Sequence, residues 1–153
     1  MVRDYRPADV EWARELLTRD FGAPVMVSRG LAQDVSALPG LVAEVDGAPV
    51  GLVVYRITGD ECEVAVLDGP GAGEALLTAA VRRAREFGCR RAWLVTTNDN
   101  TRALRFYQRQ GWDLVAVHRY AVDRARKIKP EIPPTGRDGI PIRHELELEL
   151  LLR

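Results

Sequence analysis

The residues best suited to chemistry fall between positions 61 and 112 of this 153-residue chain. Asp68-Gly-Pro-Gly-Ala-Gly73 runs directly into an amphipathic segment. A glycine turn that opens a helix leaves backbone N–H groups unpaired at the positive end of the helix dipole, a setting for a phosphate or another anion. The same glycines would also serve a tight turn that needs only their backbone freedom. Glu61 and Glu63 lie two apart in a β-rich run, so their carboxylates share one strand face. Either can take a proton from an ammonium directly or through water, and a solvated acidic pair on a strand edge is the plainer alternative. Tyr107 follows Ala103 by four residues, placing a phenol and a small side chain on one helix face with room beside them. Spaced as it is from Leu104 and Gly111, Tyr107 would also suit a core. Asn100 stands where a helix begins, as a cap or as a hydrogen-bonding group in a site.

The elements that must position these residues are legible. Residues 61–67 are rich in Val and read as a strand with one face on a core. Leu76, Leu77, Ala80, Val81, Ala84 and Phe87 recur at helical spacing, and Gly88 supplies the stop. Residues 91–97 form a second buried strand, and residues 101–110 a short helix ending at Gly111.

Asn100-Thr-Arg-Ala103-Leu-Arg-Phe-Tyr107-Gln-Arg-Gln-Gly111-Trp112 closely resembles the Asn-x-x-Ala-x-x-x-Tyr-x-x-x-Gly-Phe signature of the GNAT-family N-acetyltransferases, with Trp112 in place of the usual Phe. Gly71 and Gly73 match the glycines of that family's Gln/Arg-x-x-Gly-x-Gly/Ala turn. Asp68 stands where the Arg or Gln belongs, and a carboxylate beside a pyrophosphate is repulsive, which predicts weakened cofactor binding. The signature covers about a third of the chain, and the order of elements around it matches throughout.

The resemblance implies an α/β fold of the GNAT acyl-CoA N-acyltransferase type. Its sheet is mixed, mostly antiparallel and seven-stranded, with helices on both faces and a splayed central parallel pair. Acetyl-CoA would fill the wedge as cosubstrate, its pantetheine arm pairing with the strand at 61–67. Its contacts would be Val66, Leu67, Gly69, Gly71, Ala72, Gly73, Glu74, Asn100, Ala103 and Tyr107. Acetyl transfer from a thioester to an amine needs an uncharged nucleophile, a donor for the oxyanion and an acid for the leaving thiolate. A backbone N–H near Val66 or Leu67 would be the donor, Tyr107 the acid, and Glu63, nearer the splay than Glu61, the base. The implied reaction is direct transfer to a primary amine of a small molecule or peptide, with no covalent enzyme intermediate and no metal.

The rest of the chain reads as one domain. Residues 2–6 suggest a strand, and Pro7 starts a helix carried by Val10, Ala13, Leu16, Leu17 and Phe21 as far as Gly22. Between 23 and 39 periodicity is weak, and the spacing admits a short helix at 31–38; in the resembling family this region covers the acceptor. Two β-rich runs around Asp46-Gly47 form a hairpin. A strand is expected at 113–118, a helix at 120–129 and a proline-rich loop at 130–141, long enough that a functional role is expected. Residues 143–152 alternate, with Leu146, Leu148 and Leu150 inward and Glu145, Glu147 and Glu149 on an outer face that is solvated or attracts a cationic amine.

Composition narrows the classes. Twenty-two basic residues balance 22 acidic ones, so there is no basic field for a nucleic acid. Arg82, Arg83, Arg85, Arg90 and Arg91 form mainly a solvated face, a minor share reaching toward the ribose phosphate of coenzyme A. The two cysteines, Cys62 and Cys89, make no disulfide framework and suggest a reducing compartment; neither has a histidine nearby in sequence to make it a nucleophile. His118 and His144 lack metal-ligand spacing. With no apolar run of membrane length and no signal-peptide core, a cytoplasmic location is expected. A homodimer is common among proteins resembling this one. Two alternatives stay open: a GNAT fold that binds coenzyme A without turnover, for which Asp68 speaks, and an S-adenosylmethionine-dependent methyltransferase, whose glycine motif the run from Val66 to Gly73 resembles. The latter would need further βα units than about 80 remaining residues supply, and it would leave Asn100 to Trp112 unexplained.

Overall fold

A computed structural model describes residues 1–152. Nine strands and four helices follow in chain order: β1 (Val2–Asp4), α1 (Val10–Phe21), β2 (Val25–Ser28), β3 (Leu31–Asp34), β4 (Gly40–Val45), β5 (Ala48–Thr58), β6 (Glu61–Asp68), α2 (Gly73–Glu86), β7 (Arg91–Thr97), α3 (Thr101–Arg109), β8 (Asp113–His118), α4 (Ala121–Ile128) and β9 (Glu145–Leu151). Seven of these strands form one sheet in the order β1-β4-β5-β6-β7-β9-β8. Only β6 and β7 are parallel; every other pair is antiparallel.

Two apolar clusters lie on opposite faces. On one, Leu76, Leu77, Ala80, Val81 and Ala84 of α2 pack with Val53, Tyr55, Cys62, Val64 and Leu148. On the other, Ala13, Leu16 and Leu17 of α1 pack with Val42, Leu52, Val54 and Val66. The expected Asp46-Gly47 hairpin forms, with φ of 53° and 78° at its two turn residues, the left-handed pair that matches strand twist.

Two sequence expectations need correction. The helix expected at 31–38 is instead the second strand of a hairpin, β2–β3, followed by a single 3-10 turn at Val35–Ala37. Arg29 and Gly30 both take positive φ, 48° and 81°. That tight turn brings β3 back along β2, and strand pairing overrides the weak helical spacing. The second correction concerns β9, whose glutamates are not solvated: Glu145 and Glu147 are buried. The β2–β3 hairpin lies over this part of the sheet, where α1 does not reach, and Arg29 in its turn meets both carboxylates. Glu147 binds Arg91 and His118 as well, while Glu149 binds Arg91 at 2.6 Å.

The loop at 130–141 is held rather than free. Arg126 of α4 donates to the carbonyls of Ile132, Pro133 and Ile142 at 3.0, 2.9 and 2.8 Å. A Cβ on Gly136 would come within 2.0 Å of the Asp99 carboxylate, so only glycine lets the loop approach this closely. Arg126→Ala strips three carbonyls of a charged donor, which is expected to cost about 2 kcal/mol. Thermal unfolding should then fall by roughly 4–8 °C; an unchanged midpoint would show that water replaces the guanidinium without loss.

Candidate functional site

The site begins where β6 and β7 stop pairing. Their ladder holds only at Glu61–Arg91, Cys62–Ala92 and Glu63–Trp93. Just beyond, a bulge on the β5 side leaves Ala65 unmatched between Val64 (opposite Tyr55) and Val66 (opposite Val54). A bulge bends its strand and sharpens the local twist, so β6 turns away from β7 and both strands present unpaired backbone edges to the gap.

A cavity of about 290 Å³ fills this gap. Of the residues singled out in the sequence, Val66, Leu67, Asn100, Ala103, Tyr107 and Glu63 line it. A shallower cleft adjoins it, lined by Leu67, Gly69, Gly71, Gly73, Glu74, Ala103 and Tyr107. Ala72 lines neither; it begins the helix, and its carbonyl accepts the first ladder bond, from Leu76 N–H at 3.0 Å. Its side chain offers no cap, and among the described residues the N–H groups of Gly73, Glu74 and Ala75 find no partner. A Cβ on Gly69 would stand 2.7 Å from Gly51 Cα, and Gly71 has φ +78°. The turn therefore lies tight against β5 while its free donors face the cleft, and the residues present fit a pyrophosphate.

Asp68 does not oppose that fit. In an unbroken strand it would share the face of Val64, on the α2 side. The extra residue at Ala65 reverses the alternation, and Val66 and Asp68 face α1 instead. The Asp68 carboxyl is pushed up to about 7, first by burial and then by Asp20 near the end of α1, with Arg19 pulling the other way. Its Oδ2 is buried without a partner among the described residues. The expected repulsion of a pyrophosphate is thus corrected.

Tyr107 is 8% exposed, and burial raises its phenol above the ordinary value, so it stays a proton donor throughout the neutral range. Phe106 and Trp112 fix its ring edge-on and tilted at centroid distances of 5.2 and 5.8 Å. Asn100 caps α3, accepting from Ala103 N–H at 3.2 Å, and also lines the cavity. Two residues earlier, Asn98 Oδ1 accepts from the N–H groups of Arg143 and His144 at 2.9 Å each, and its Nδ2 donates to Pro141.

Glu63 is 4% exposed and bound to Arg56 at 2.6 Å, with Arg56 held in turn by Gln33. Glu61 lies outside the cavity and pairs with Arg91 at 2.7 Å. Of the arginine cluster, Arg91 clamps three glutamates, and Arg83 binds Asp4 and Tyr55; none of the five lines either cleft. Burial pushes the Cys62 thiol up to about 12, leaving it without a thiolate at neutral pH.

Sequence reasoning missed two residues. Arg102 lines the glycine cleft; its position beside Asn100 in the signature was the available clue. Glu145 lines the main cavity, and its alternation with leucines signalled an outer face without saying what covers that face.

The sequence model of the acetyltransferase (GNAT) family matches residues 10–112. An uncharacterised protein of Bacillus subtilis (strain 168), YdhI, is 38% identical over 146 residues, covering 89% of this chain and 91% of that protein. Among solved structures, an IAA acetyltransferase from Bacillus cereus ATCC 14579 superposes with a TM-score of 0.74 at 17% identity, over 99% of both chains. A GNAT family acetyltransferase from Elizabethkingia anophelis, solved with acetyl-CoA bound, gives 0.70 at 15% identity over 99% and 97%.

For Asp68 the folded pKa lies above the unfolded value of about 4. Its ionisation therefore removes stability, which is complete below about pH 4 and falls as pH rises through 7. Asp68→Asn should raise the melting midpoint by a few degrees at pH 8 and not at pH 4, leaving coenzyme A affinity unchanged. A gain equal at both pH values would show that the raised Asp68 carboxyl is not its cause.

Proposed function

Since this chain belongs to the GNAT acetyltransferase family, we propose that it transfers the acetyl group of acetyl-CoA directly to a primary amine of a small molecule or peptide. The observation that carries the reading is the gap opened by the Ala65 bulge, with free strand edges on both walls, unpaired helix N–H groups at one end and the Tyr107 phenol between them.

The N–H groups at Gly73, Glu74 and Ala75 bind the pyrophosphate, with Arg102 beside them. The freed edge of β6 receives the pantetheine amides, and an N–H near Val66 or Leu67 takes the oxyanion. As the C–N bond forms and the C–S bond breaks, Tyr107 gives its proton to the leaving thiolate. The amine must lose a proton to a carboxylate of the cavity wall. Glu63 stands nearest the splay, although Arg56 holds it. The reading of a fold that binds coenzyme A without turnover was founded on Asp68, and with that side chain turned to α1 no observation favours it.

Titration calorimetry with acetyl-CoA, and with S-adenosylmethionine beside it, should give micromolar binding of the first alone; binding of neither would withdraw the acyltransfer reading. Arg102→Ala is expected to weaken that affinity by about 1 kcal/mol. Tyr107→Phe should lower turnover by about 10- to 1000-fold with acetyl-CoA binding nearly intact, and undiminished turnover would take Tyr107 out of the mechanism.

A further inference from the structure

We propose that Glu145, rather than Glu63, receives the acceptor's ammonium and takes its proton, and that the acceptor is an amine bearing one positive charge on an apolar body. This rests on the acetyl-transfer reading above and names the acceptor half of the same site.

Two buried carboxylates line the main cavity, and their circumstances differ. Glu63 is closed into a Gln33–Arg56–Glu63 chain, so its charge is already answered. Glu145, 3% exposed, accepts one backbone N–H, from Arg29 at 3.1 Å, and has no cation within 4.0 Å among the described residues. Its neighbour two residues on, Glu147, takes up His118 and Arg91. Burial raises Glu145, with the Arg29 N–H and the more distant charges of His118 and Arg124 only partly opposing it. In Glu147 burial acts the same way, but His118 and Arg91 outweigh it and bring the carboxyl below its ordinary value. Glu145 is therefore the cavity carboxylate that still lacks a cation, and an incoming ammonium supplies one.

Its position fits the task. Glu145 lies on the wall shared by the main cavity and a second one of about 270 Å³, lined also by Arg29, His118 and Arg124. A proton taken from the cavity side can leave on the other. The groups facing it are Arg29 from the β2–β3 turn, Glu63 from β6, His118 from β8 and Arg124 from α4. The ammonium begins with three protons and the amide keeps one. Of the two lost, Glu145 takes the first and passes it to solvent, restoring the carboxylate. The second offsets the proton that Tyr107 gives to the thiolate as the C–S bond breaks.

The rest of the chamber selects the body of the acceptor. Met26, Leu31, Val35 and Leu38 form an apolar wall from the hairpin and the turn after it. Beyond Glu145 the second cavity presents Arg29 and Arg124, which repel a second or third positive charge. A monoamine fits this pattern, and a polyamine meets arginines.

The test follows thiol release from acetyl-CoA with phenethylamine, an alanine-initiated peptide and spermidine, using the wild type, E145Q, E145D and E63Q. Expected are turnover of a monoamine in preference to spermidine and a fall in kcat/KM of about 100-fold or more in E145Q. The ascending limb of the kcat/KM–pH profile that belongs to a carboxyl should vanish in E145Q, return displaced in E145D and persist in E63Q, with acetyl-CoA affinity unaltered in both Glu145 variants. An E145Q enzyme that keeps this limb, or an E63Q enzyme that loses it, overturns the assignment of the proton to Glu145. If E145Q proves unstable, a folded E145D with wild-type rate and limb overturns it equally. Preference for spermidine overturns the acceptor class. Acetyl-CoA binding with no amine consumed sinks the transfer reading and this inference together, whereas turnover indifferent to Glu145 sinks this inference alone.

Discussion

Everything in the site depends on one extra residue in β6. Regular pairing would carry the β6–β7 ladder to the end of both strands and leave no space between them. With Ala65 unmatched, pairing ends at Glu63, and the sheet acquires two open edges in its middle. The cost of leaving those backbone groups unpaired is borne by a fold stable enough on either side, where α1 and α2 bury apolar residues against opposite faces. The same residue reverses the parity of the strand beyond it. That reversal sends Asp68 to α1 and frees the glycine turn from a charge that would oppose an anion.

The second organising fact is the polar face of the sheet under the β2–β3 hairpin. Buried carboxylates are costly unless answered, and here Arg91 answers the buried Glu147 together with the more exposed Glu61 and Glu149. Arg91 and Arg29 both stand against Trp93, their guanidinium carbons 5.6 and 5.5 Å from its ring centroid. This lattice meets the hairpin at its Arg29 turn while Met26 packs on the apolar cluster at its other side, and the chamber beneath keeps a polar floor.

Much of this was legible in the sequence. Element order, the Asp46-Gly47 hairpin, the glycine turn and the helix with Ala103 and Tyr107 come from periodicity, turn chemistry and a spaced signature. What escaped was what periodicity cannot carry. A bulge leaves no mark in Val64-Ala65-Val66, because small and β-branched residues suit a regular strand equally well, so the side on which Asp68 emerges could not be counted. The alternation of β9 was read correctly, but whether an outer face meets water or a hairpin depends on residues over a hundred positions away. The hairpin itself was hidden because Arg29, unlike asparagine or glycine, gives no signal that its backbone will turn left-handed.

Asn98 acquires a wider meaning from this arrangement. Its side chain holds Pro141, Arg143 and His144, the residues that lead into Glu145, while its own backbone leads through Asn100 into the helix that carries Tyr107. The phenol on one wall and the carboxylate on the other are thus both surveyed from a single datum. Thr97 already pairs with Glu145 at the end of the β7–β9 ladder, so phenol and carboxylate both ride on β7, and the splay of β6 leaves their separation alone.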